Sequence, residues 1–108
     1  MDKKTAICQY LKKNHTGGER AVYSRVLQRL FSIDGRSLRR KINSLRQDGH
    51  PICSDARGYY YADSQEEIND TVCRLNQMVT KVSNARTGLL YASIQDGEIT
   101  VELSVTIR

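Results

Sequence analysis

Residues 35–61 read GRSLRRKINSLRQDGHPICSDARGYYY. Leu38, Ile42 and Leu45 recur at i, i+4 and i+7, which places them on one face of a helix from about Arg36 to Gln47. Arg36, Arg39, Arg40, Asn43 and Gln47 fall largely on the other side, so the outward face is cationic and amide-bearing. Asp48-Gly49 ends that helix, with Gly49 where a left-handed C-cap forms most easily. Pro51-Ile52-Cys53-Ser54 and Tyr59-Tyr60-Tyr61-Ala62 are β-prone runs around the polar tip Asp55-Ala56-Arg57-Gly58, a pattern that predicts a hairpin. On its second strand Tyr59 and Tyr61 point one way and Tyr60 the other, so at least one tyrosine face is expected in the core.

Moving toward the N-terminus, Ser32-Ile33-Asp34-Gly35 is expected to form a tight turn, and before it Leu27, Leu30 and Phe31 give a short helix an apolar edge, with Ser24 as its expected N-cap. A short extended piece is expected around Ala21-Val22-Tyr23. The first helix is expected over about Lys3 to Asn14, where Ala6, Ile7, Tyr10 and Leu11 form the inner stripe and Lys3, Lys4, Lys12 and Lys13 lie outside it. Asn14-His15-Thr16-Gly17-Gly18 stops it. The order is three helices, the last two joined by a tight turn, then a hairpin with a basic tip. That is the order of a winged helix-turn-helix, and it makes residues 1–62 an expected DNA-binding domain of an α+β protein.

The stretch from Gly35 to Ser54, closed by Gly58-Tyr59-Tyr60-Tyr61, resembles the winged-helix module at the N-terminus of the biotin repressor, and more closely the small winged-helix proteins of bacteriophage and prophage genomes. The shared features are an Arg-rich helix start, Leu45-Arg46-Gln47-Asp48-Gly49-His50-Pro51-Ile52 at the helix end, and Gly58-Tyr59 after the wing; the likeness covers about residues 5–75. It implies a fold and a DNA-binding role. The biotin chemistry of the larger repressors is not implied, since these 108 residues hold no ligase domain.

Charge supports the same partner. Residues 1–62 carry thirteen Lys/Arg against five Asp/Glu, a net +8, whereas residues 63–108 carry four against seven, a net −3. A basic segment joined to an acidic one suits a polyanion at one end and protein at the other. Arg, Asn and Gln can make paired hydrogen bonds to base edges in the major groove. Arg36, Ser37, Arg39, Arg40 and Asn43 are therefore expected nearest the bases, with Arg46 and Gln47 toward phosphate or solvent. Arg57 at the wing tip is expected to reach phosphate or the minor groove, and Arg25, Arg29 or the Lys3 and Lys4 pair to contact flanking backbone. A charged helix face that is simply solvated, a winged helix that binds protein, and RNA in place of DNA are the competing readings.

In residues 63–108, Ser64 followed by Glu67 has capping-box spacing and opens a further helix. Its apolar positions Ile68, Val72, Leu75, Val79 and Val82 alternate by four and three, the seam of a two-stranded coiled coil, with Arg86 at the next position. The stripe either pairs with a second copy or packs on its own chain. Gly88 is then expected to interrupt, with Leu90, Ala92 and Ile94 paired through an Asp96-Gly97 turn to Ile99, Val101 and Leu103, and Val105 extending the strand. The competing reading extends the helix through Leu90-Tyr91. Val101, Leu103 and Val105 join the helix seam as expected dimerisation residues, and a homodimer on double-stranded DNA, or a host protein partner, is the expected assembly.

No catalytic pattern emerges. His15 and His50 sit in expected turns, Cys8, Cys53 and Cys73 are too widely spaced for a four-ligand metal site, and Glu66, Glu67 and Asp70 crowd one helix start, where capping accounts for them. Neither a cofactor nor a metal is expected. With 39% hydrophobic residues, 27% charged and one proline, the chain should fold as a globule. The absence of a long apolar run leads to an expected cytoplasmic location without membrane attachment.

Overall fold

The computed structural model describes residues 2–92. The fold is α+β. Helices α1 (Lys3–Asn14), α2 (Ser24–Phe31) and α3 (Gly35–Gln47) precede a two-stranded antiparallel sheet of β1 (Ile52–Asp55) and β2 (Gly58–Tyr61), and a long helix α4 (Gln65–Tyr91) follows. A 3-10 turn, Gly18–Arg20, lies between α1 and α2. The chain divides into two compact units, Met1–Arg74 and one that begins at Leu75.

The core of the first unit comes from one face of each helix. Ile7 and Leu11 of α1, Leu27 of α2 and Leu38, Ile42 and Leu45 of α3 are buried together with Val22 and Ile52. Each such Leu or Ile removed from water contributes about 1.5–3 kcal/mol. Leu30 does not join them; it is 54% exposed. On an eight-residue helix the inward arc is narrow, and Leu27, with the part-buried Val26 and Phe31, fills it.

Helix boundaries follow local hydrogen bonding. Asp2 Oδ1 accepts the Thr5 N–H at 2.7 Å at the start of α1, and Asp34 Oδ1 accepts the Ser37 N–H at 2.7 Å at the start of α3. Ser24 is not a cap: it is the first residue of α2, Tyr23 precedes it without a side-chain bond, and the Ser24 hydroxyl accepts from Gln28 Nε2 at 2.9 Å. One turn of helix brings those two side chains together, which diverts the hydroxyl from the backbone. α3 ends in a Schellman motif, Gly49 N–H to Arg46 O and His50 N–H to Leu45 O, both 3.0 Å, with Gly49 at φ 98°.

The hairpin pairs Ile52 with Tyr61, Cys53 with Tyr60, Ser54 with Tyr59 and Asp55 with Gly58. Ala21-Val22-Tyr23 adds a bridge beside it: Val22 N–H to Tyr59 O at 2.9 Å and Tyr59 N–H to Val22 O at 2.8 Å. Gly58 is required there twice over, by φ 120° and because a β-carbon would overlap the Val22 carbonyl. Both tyrosine faces are used. Tyr59 and Tyr61 pack with Ile52 against the helical core, while Tyr60, 3% exposed, and Cys53 lie on the opposite face with the first turns of α4.

Those turns are held by polar groups. Ser64 Oγ accepts the Glu67 N–H at 3.2 Å, and the Glu67 carboxylate accepts the Asp63 N–H at 2.7 Å and the Gly18 N–H at 2.8 Å. Buried Thr71 accepts the Ser54 N–H at 3.3 Å. Gly88 does not interrupt α4, and Leu90 is helical, so no strand starts there. A glycine costs a helix about 1 kcal/mol relative to alanine, less than the backbone bonds that an already nucleated 27-residue helix retains by continuing. The expected turn at Asp96-Gly97 and the residues Ile94, Ile99, Val101, Leu103 and Val105 lie outside the described residues. Among the described residues no helix is long and apolar enough to cross a membrane.

Candidate nucleic-acid interface

Burial of Leu38, Ile42 and Leu45 fixes the rotation of α3, and the same rotation turns Arg36, Arg39, Arg40, Asn43 and Gln47 into solvent. From Arg36 to Gln47 this stripe runs about 16 Å along the helix. Among the described residues none of these five side chains makes a hydrogen bond or ion pair. Ser37 is half-buried at the stripe's edge. Three guanidinium groups and two amides on one ridge can supply donors to phosphates and paired hydrogen bonds to base edges.

The N-terminus of α3 is closed to anions by Asp34. Its carboxyl is held below the ordinary carboxylate range by the Ser37 N–H, with Arg40 and Arg39 adding attraction. The positive end of the helix is thereby neutralised, and anion contact falls to the side chains. Gln28 belongs to the same corner. A β-carbon at Gly35 would lie 3.4 Å from Gln28 Nε2 and 3.5 Å from Arg39 Nη1, so α2 brings an amide beside the start of the ridge. Helical periodicity does not single out Gln28, and only the α2–α3 packing brings it to Arg39.

The remaining expected DNA contacts have partners within the chain. Lys4 Nζ pairs with Asp48 Oδ2 at 2.7 Å, and Lys3 Nζ donates to Ser32 O at 3.2 Å, so both tie α1 to other elements. The Arg25 guanidinium stacks 5.0 Å from the Tyr23 ring. Arg57 at the hairpin tip grips Asp55, with Nη2 at 2.6 Å from Oδ2 and its own N–H at 2.8 Å from Oδ1. The pairing lowers the Asp55 pKa and raises that of Arg57. Arg57 is still half exposed, but it reaches a phosphate only by sharing its charge with Asp55.

Arg46 points to neither phosphate nor solvent. It turns inward, with Nε donating to Ile52 O at 2.7 Å and Nη2 to Ser54 Oγ at 3.1 Å. Burial pushes its pKa down, although the group stays charged. The residue lies between Ile42 and Gly49, where the helix faces β1, so its long side chain clamps the hairpin to α3. Of the expected dimerisation residues, Ile68 and Leu75 are half-buried, Val72, Val79 and Val82 are exposed, and Val101, Leu103 and Val105 lie outside the described residues. Among the described residues no group of three or more His, Cys, Asp or Glu side chains could hold a metal ion. No known family model, curated protein or solved structure matches this chain.

Proposed function

We propose that the first unit is a winged helix-turn-helix and that the protein binds double-stranded DNA in a sequence-specific way, with α2 and α3 as the helix-turn-helix and the hairpin as the wing. The observation that carries this reading is the unpaired ridge of Arg36, Arg39, Arg40, Asn43 and Gln47 on α3. A helix of about 10–12 Å diameter with its side chains fits a major groove about 12 Å wide. Base-edge contacts fall to Arg36, Arg39, Arg40 and Asn43, phosphate contacts to Arg25, Arg57 and Gln28. The clamp from Arg46 to the hairpin holds the wing at a fixed distance from the ridge. In this reading the protein works by occupying a site rather than by catalysis, as a transcriptional regulator or replication-associated factor of the phage or prophage type, in the cytoplasm.

Binding of a selected duplex and of a scrambled duplex, each followed against salt, tests it. Arg39→Ala and Asn43→Ala are expected to weaken the selected site more than the scrambled one, whereas Arg25→Ala weakens both alike. Equal losses on both duplexes for all three variants would remove α3 as the reading element. An adaptor that docks on a host protein would instead bind DNA weakly, without sequence preference, and would lose function through substitutions on α4.

A further inference from the structure

In its second unit α4 carries a face with nothing against it among the described residues. Val79, Val82 and Leu89 are 66%, 68% and 78% exposed. Because the helix continues through Gly88, the alternation of four and three residues runs from Val72 through Leu75, Val79 and Val82 to Arg86 and Leu89. That is one core position, Leu89, more than a helix broken at Gly88 would allow. Val72 and Val79 then take the first core position of successive heptads, and Leu75 and Leu89 the second, the β-branched and leucine distribution that favours two parallel strands; Val82 is the one β-branched residue at a second position. Gly88 and Lys81 fall outside the seam.

The residues flanking the seam identify the occupant. Asn76, Met78, Ser83, Ala85 and Leu90 carry no charge. From Leu75 to Tyr91 there is no Asp or Glu, and Lys81 and Arg86 are the only charged residues. Flanking charges are what direct a coiled-coil helix toward a different partner or repel its own copy. Neither device flanks this seam, and its apolar stripe complements itself at every core position except Arg86, where two like charges meet at a cost in stability. Arg86, a single cation at a core position, selects two strands over three or four, because a long side chain can escape to solvent only from a two-stranded core.

We infer that residues 72–89 of α4 pair with the same residues of a second copy as a parallel, in-register two-stranded coiled coil. The inference does not depend on DNA binding, and its test needs no DNA. Sedimentation equilibrium of the full chain at tens of micromolar is expected to give a dimer. Val79→Glu combined with Val82→Glu should weaken self-association by roughly 100-fold or more, since two charges per chain enter an apolar seam. Asn84→Glu, on the outer side, should change nothing. Both valines are exposed, so far-UV circular dichroism should show the first unit intact in the double variant. A Val79→Cys, Cys73→Ser chain should cross-link nearly completely on oxidation, because in-register pairing brings the two β-carbons at position 79 within disulfide reach. A monomeric full chain would overturn the inference, as would a dimer whose cysteine variant fails to cross-link.

Discussion

α3 and α4 both turn side chains to solvent, yet only α4 exposes large apolar ones. α3 buries every Leu and Ile it has and shows water only charged, amide and small polar groups. α4 buries a threonine and leaves valines, a methionine and leucines exposed. The inner side of α3 accounts for stability, and its outer side is free to meet a polyanion. In α4 the docking groups are polar, Glu67 and Thr71, and the apolar stripe is spare. The two outward faces therefore suit different partners: cations and amides match phosphates and base edges, as proposed for α3, and valines and leucines match another apolar helix, as inferred for α4.

The contrast breaks most visibly with alanine on the inner and outer sides. Leu38→Ala should cost about 2–5 kcal/mol of unfolding free energy, as expected for a fully buried leucine, whereas Val79→Ala should leave the first unit within about 0.5 kcal/mol of the parent. Chemical denaturation followed by tyrosine fluorescence reads this directly, because all tyrosines except Tyr91 lie in the first unit. Comparable losses from both would mean that α4's stripe is structural.

Arg39→Ala should reverse the pattern, losing about 1–3 kcal/mol of binding to a selected duplex without moving the denaturation midpoint. A smaller loss of about 1–2 kcal/mol in stability is expected for Glu67→Ala, which strands the Gly18 N–H. If Glu67→Ala is silent, polar docking is not what holds the start of α4. The weakest effect is on pH. Asp2, Asp34 and Asp55 have pKa values lowered by hydrogen bonds in the folded state, so their stabilisation is present above the unfolded pKa of about 4 and is lost as pH falls below it. A titration of midpoint against pH should therefore decline on the acid side, and less steeply in Asp55→Asn.

Much of this was legible in the residues. The stripe of Leu38, Ile42 and Leu45 located α3 and its exposed ridge because periodicity alone sets helix rotation. Gly49 marked the end of α3 through its tolerance of positive φ. Other features depended on partners distant in sequence. Arg46 looks like one more basic residue of the helix until β1 folds beside it. Glu67 reads as a local capping residue, yet one of its oxygens serves Gly18, 49 residues away. Lys4 counts toward net charge, and only the fold reveals that Asp48, 44 residues on, already engages it. Gly88 misleads for a different reason, since its helix penalty is local while the bonds that override it are collective.

Whether the ridge on α3 reads DNA sequence is tested most directly by selecting bound duplexes from a randomised pool with the full chain and then repeating the selection with Arg39→Ala. An enriched site that loses information at defined positions in the variant is expected, with half-sites about one helical turn or a multiple apart if two copies bind together. A pool that stays random, with retention that vanishes as salt rises, would contradict this and reduce the ridge to a general electrostatic surface.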